Sequence, residues 1–99
     1  MKLTKILKTH YSAIVNRKLI THQTTTDDFV DKLREEFSEF LDEIHLDPEM
    51  MNNATRQECA DIMMVCANML TRKGYNVKKV LHENMMTQVE RAADKNILG

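Results

Sequence analysis

Phe29-Val30-Asp31-Lys32-Leu33-Arg34-Glu35-Glu36-Phe37-Ser38-Glu39-Phe40-Leu41-Asp42-Glu43-Ile44 places its apolar residues at steps of three and four. That period belongs to a helix, where residues i, i+3 and i+4 share a face. A helix is therefore expected from about 27 to 45, with Phe29, Val30, Leu33, Phe37, Phe40, Leu41 and Ile44 on its apolar stripe. Thr24-Thr25-Thr26-Asp27-Asp28 precedes it, a cluster of N-cap residues whose acidic groups suit the positive end of a helix dipole. Residues 46–53 follow, with the only proline and two asparagines, and read as a loop.

The same period recurs on both sides. Leu3, Ile6, Leu7, Tyr11, Ile14, Val15 and Leu19 predict a first helix over 3–20. A third helix is expected from about Ala54 to Gly74, where Arg72-Lys73 forms a basic last turn and Gly74 a C′ residue. Its centre, Cys59 to Leu70, is apolar nearly all round except for Asp61 and Asn68. Such a helix is central or packed on two sides, and in a small chain the second side is often another subunit. A fourth helix is expected over about 76–93, with Val77, Val80, Leu81, Met85 and Val89 inward. No repeat, low-complexity tract or strand pair stands out. The expected fold is all-α: one domain over 1–99, a small antiparallel bundle of four helices completed by dimerisation.

Composition narrows the function classes. The formal net charge of −1 gives no bulk field to attract nucleic acid or an anionic membrane. Trp is absent and aromatics are few, which argues against a base-stacking platform. No apolar run approaches 18 residues and no signal-peptide pattern occurs, so a soluble, cytoplasmic protein is expected. Cys59 and Cys66 lie seven apart on one helix, about 10 Å along its axis. That is too far for a disulfide between them, and two free thiols suit a reducing compartment.

The chemistry sits in two acidic clusters, Glu35-Glu36-Phe37-Ser38-Glu39 and Glu58-Cys59-Ala60-Asp61. Each contains two carboxylates three apart on a helix. Glu36 and Glu58 fall at the border between core and solvent, and Glu35 lies further round towards solvent. If the two helices pack face to face, Glu36, Glu39, Glu58 and Asp61 converge. Four carboxylates in one place repel unless a cation sits among them, and hard divalent ions such as Mg²⁺ prefer oxygen ligands. Asp61, inside an apolar stretch, would be costly to bury unpaired. The four histidines form no Glu-x-x-His pair, which argues against a ferritin-like di-iron centre.

Lys32-Leu33-Arg34-Glu35-Glu36-Phe37-Ser38-Glu39-Phe40 and Gln57-Glu58-Cys59-Ala60-Asp61-Ile62 together resemble the MazG-like, all-α nucleoside triphosphate pyrophosphohydrolases over about residues 25–92. The resemblance implies a dimer, or a dimer of dimers, that hydrolyses the α–β bond of a nucleoside triphosphate to the monophosphate and pyrophosphate. It implies Mg²⁺ as cofactor, with Mn²⁺ as a substitute, held by Glu36, Glu39, Glu58 and Asp61. Glu35 would orient or deprotonate the attacking water. Many members carry a basic–Asn–Arg pattern on the following helix. Aligned on Arg91, this chain has Asn84 and Gln88 at the two earlier positions, so only Arg91 remains to bind phosphate. Two other function classes stay open: a helical dimer that binds nucleotide or metal without turnover, and a protein-interaction module docking through helix three.

Overall fold

Thr25 Oγ1 accepts the Asp28 backbone N–H at 3.2 Å, and Asp28 Oδ2 accepts the Thr25 N–H at 2.7 Å. This reciprocal cap satisfies two otherwise unpaired donors and starts the helix that begins at Thr26. The computed structural model describes residues 1–98, with side-chain environments through Asp94, and Gly99 lies outside the described residues. It contains α1 (Leu3–Asn16), α2 (Thr26–Leu46), α3 (Asn53–Arg72) and α4 (Val77–Leu98), with no strand among the described residues. The fold is a small all-α bundle, as the apolar periods require. No helix among the described residues is long and apolar enough to cross a membrane.

α1 ends four residues earlier than its apolar period suggests. The Leu19 N–H donates to the Ile14 carbonyl at 3.1 Å and the Lys18 N–H to Val15 at 2.9 Å. Lys18 takes a left-handed conformation, φ 60°. These bonds close the helix end and turn Ile20 into the core, where it is buried. Leu19 is left exposed. The end of α3 closes the same way: the Tyr75 N–H reaches the Leu70 carbonyl at 3.0 Å, and Gly74 supplies the positive φ, +87°. No neighbouring atom lies where a Cβ on Gly74 would sit, so its backbone conformation alone favours glycine there.

α3 is the central helix. It packs along α2 for most of its length and also touches α1 and α4. Phe29, Ala67 and Ile20 form the core beneath that contact, with Val77 at the start of α4. The Arg72 guanidinium ties the α3 terminus to the α1–α2 connection by donating to the carbonyl of His22 at 3.2 Å.

α4 departs from expectation. Val77 is buried and Val80 half-buried, but every residue from Leu81 to Asp94 is exposed. Leu81, Met85 and Val89, expected to face inward, are 49%, 46% and 53% exposed. Phe37 and Leu41 of α2 are also about half exposed. The period correctly marks an apolar stripe, but no wall of this chain meets it. The consequence is measurable in the shape. The radius of gyration is 16.4 Å, against about 13 Å for a compact domain of this length. The accessible surface is 7965 Å², against roughly 5,800 Å² for a folded monomer of this mass.

Candidate metal centre

The acidic residues are brought together by the turn between α2 and α3. Asp47, itself buried, accepts the backbone N–H of Met51 and of Asn52, each at 2.9 Å, and the Thr55 hydroxyl at 2.6 Å. Those three donors, Thr55 foremost, hold the Asp47 carboxyl below its ordinary value of 3.8. Arg56 closes the outside of the turn by donating to the carbonyls of Met50 and Met51 at 3.2 and 2.9 Å. Glu36 precedes Asp47 by eleven residues and Glu58 follows it by eleven. With the turn fixed, the two antiparallel helices bring those positions level.

Glu36, Glu58 and Asp61 each offer a carboxylate oxygen, and the three oxygens lie within 4.8 Å of one another. Glu36 is 8% exposed, Glu58 is half-buried and Asp61 is at the rim. Glu36 Oε2 and Glu58 Oε2 are buried without a hydrogen-bond partner. A buried carboxylate oxygen left bare is unfavourable unless a cation or proton occupies the position beside it. Loss of solvent, reinforced by the facing charges of Glu39, Asp61 and Glu36, pushes the Glu58 carboxyl above its ordinary value of 4.5. Loss of solvent and then Glu36 push Asp61 up as well, while His10 and Lys32 pull it the other way. The donors are all hard oxygens, and a Mg²⁺- or Mn²⁺-like ion fits them better than a soft metal. This acidic triad could hold a metal.

Glu39, expected as a fourth ligand, is exposed and is not among the three carboxylates whose oxygens converge, although its charge helps to push Glu58 up. Glu35 faces outward, its side chain 58% exposed, and pairs with the Lys32 ammonium at 3.4 Å. Arg91 lies on the exposed length of α4, about 21 Å along the axis from Val77.

Three neighbours of the cluster escaped the sequence reading. Lys32 Nζ is 3.1 Å from Glu36 Oε1, so an internal ammonium already sits against one of the triad. His10 is no isolated surface histidine: its Nδ1 is 3.3 Å from Nδ2 of the buried Asn68, which docks α1 on α3 beside Asp61. Asn68 was conspicuous as a polar residue in an apolar helix, and its partner is now evident. Asp47, read only as part of a loop, organises the turn. Next to the cluster lies a cavity of about 340 Å³, walled by Leu19, Ile20, Phe29 and Val65 and edged by Lys32, Glu35 and Asn68. No family model, curated protein or solved structure matches the chain.

Proposed function

We propose that the chain is a Mg²⁺-dependent nucleoside triphosphate pyrophosphohydrolase, with Mn²⁺ as a substitute, cleaving a (deoxy)nucleoside triphosphate to the monophosphate and pyrophosphate. The observation that carries this is the convergence of Glu36, Glu58 and Asp61, with bare buried oxygens on two of them. Their order along two consecutive helices, Glu-Glu-x-x-Glu then Glu-x-x-Asp, supports the reaction assigned to them.

In this reading Glu36, Glu58 and Asp61 ligate the cation and Glu39 completes the set. When bound, the cation supplies charge neutralisation at the phosphates and lowers the pKa of a bound water. Glu35, beside the ligands but open to solvent, orients that water and accepts its proton. The neighbouring cavity is of a size that takes a small ligand. Arg91 belongs to the substrate site only if α4 is brought over it by assembly.

The working unit in this reading is a homodimer, or a dimer of dimers. The surface of each chain exceeds that of a compact monomer by roughly 2,100 Å², more than the roughly 800 Å² per partner of a standard interface and within the range of an obligate one. Leu81, Met85 and Val89 on α4 and Phe37 and Leu41 on α2 supply the apolar face that a second copy would cover. The unpaired thiols of Cys59 and Cys66 suit a reducing compartment.

A pyrophosphate-release assay across canonical and modified triphosphates, with and without Mg²⁺, tests the reaction, using Glu58→Gln as the blank. Mg²⁺-dependent release absent from the blank is the expected result. The placement of Arg91 on exposed helix favours one second reading, a module that binds nucleotide or metal without turnover. Tight triphosphate binding with no release from any substrate would establish that reading instead.

A further inference from the structure

We propose that Lys32 is an exchangeable counterion: it neutralises Glu36 while no divalent cation is bound, and binds the polyphosphate of the substrate once a cation has displaced it. This rests on the metal-centre reading above and adds a substrate-binding residue to it.

The two ends of the exchange are both in place. Lys32 lies one turn before Glu36, and its ammonium is 3.1 Å from Glu36 Oε1 and 3.4 Å from Glu35 Oε1. Glu36 offers a ligand oxygen to the triad, while its Oε2 is buried and bare. Nζ and a divalent ion therefore compete for the same carboxylate. Two cations that share one carboxylate a few ångströms apart repel, and the divalent ion carries the greater charge, so occupation of the triad drives the ammonium away. Lys32 is free to go: its side chain is 49% exposed and has a flexible four-carbon stem.

Its destination is the adjoining cavity, which Lys32 already lines together with Glu35, Phe29 and Asn68. A phosphate chain ligated at the triad would extend past this edge. Three ammonium donors there suit non-bridging phosphate oxygens. The chain also needs such a cation, because Asn84 and Gln88 carry no charge and Arg91 lies far along the exposed helix.

The test uses the full chain, Mn²⁺ and inorganic pyrophosphate as probes, and the variants Lys32→Met, Lys32→Gln and Lys32→Arg. Without its internal competitor, Lys32→Met should bind Mn²⁺ on the order of tenfold more tightly than the wild type. At saturating Mn²⁺ the same variant should bind pyrophosphate on the order of tenfold more weakly. Lys32→Gln should follow Lys32→Met in both, and Lys32→Arg should restore most of the pyrophosphate affinity. The opposite signs for the two ligands distinguish the exchange from a general loss of structure, which would weaken both. Unchanged or weaker Mn²⁺ binding in Lys32→Met and Lys32→Gln, or unchanged pyrophosphate binding, overturns the exchange while leaving the metal centre standing. A wild-type chain that binds no Mn²⁺ overturns both.

Discussion

Thr55 donates its hydroxyl to Asp47 Oδ2 at 2.6 Å, across the turn that joins the two acid-bearing helices. Thr55 is fully buried, at 0% exposure. The bond sets where α3 starts relative to the end of α2, and so the level at which Glu58 meets Glu36. Thr55→Val keeps the shape and removes the donor. It should lower stability by about 1–2 kcal/mol, read as a shift in denaturant midpoint at unchanged slope. Divalent-ion affinity should fall with it. An unmoved midpoint would mean that the two backbone bonds to Asp47 hold the turn alone.

Like charges at the centre oppose folding when no cation is present. Glu58→Gln should therefore raise the melting temperature of the metal-free chain. The wild type should gain about 2.7 kcal/mol when Mn²⁺ is held at a hundred times its dissociation constant. The variant should gain far less. A Glu58→Gln chain that melts lower than the wild type without metal would show that the carboxylates are not in mutual conflict.

The shifted carboxyls give stability a pH dependence of definite sign. Glu58 and Asp61 have raised folded-state values, so the folded chain holds those protons more tightly than the unfolded one. Their contribution is complete below the ordinary values of 4.5 and 3.8 and is lost as pH rises through the raised values. Asp47 runs the other way: its contribution is present above 3.8 and is lost as pH falls through its depressed folded value. Melting curves of the metal-free chain from about pH 4 to pH 8 should thus decline towards neutrality once Asp47 is ionised. Glu58→Gln should flatten that decline. A rise towards neutrality would contradict the assignment of Glu58 and Asp61 as strained acids.

The exposed stripe of α4 predicts assembly. Light scattering should give at least twice the chain mass of 11.6 kDa. Leu81→Glu combined with Met85→Glu should dissociate it, because a carboxylate held against apolar surface is strongly unfavourable. An assembly indifferent to both substitutions would place the interface elsewhere.

Much of the fold was legible because it depends on local rules. The Thr25–Asp28 cap, the Gly74 terminus and the apolar periods follow from residues a few positions apart. The end of α1 was less visible: Lys18 adopts a conformation that sequence rules assign to glycine, and the apolar period runs on past the true end. Spacing told which residues of α4 share a face but not whether this chain covers that face. At the centre, i and i+3 spacing singled out Glu36, Glu39, Glu58 and Asp61, and the structure brings together the oxygens of three of them, Glu36, Glu58 and Asp61, because spacing fixes which carboxylates share a face but not which of them turn inward. Lys32 went unremarked because a lysine beside glutamates reads as an ordinary surface pair, and only burial reveals that one partner belongs to the centre. His10 needed long-range information, since its contact with Asn68 spans 58 positions.

All three convergent carboxylates fall between Glu36 and Asp61, within a single hairpin. Closing it requires only a short loop, so the contacts that build the centre have low sequence separation and form fast. α1 and α4 can dock afterwards without altering the geometry. A divalent ion should therefore act as a folding nucleus, speeding the refolding rate of the chain and not only slowing its unfolding. Stopped-flow refolding with and without Mn²⁺ would register this, and an effect confined to the unfolding limb would place assembly of the centre after the barrier.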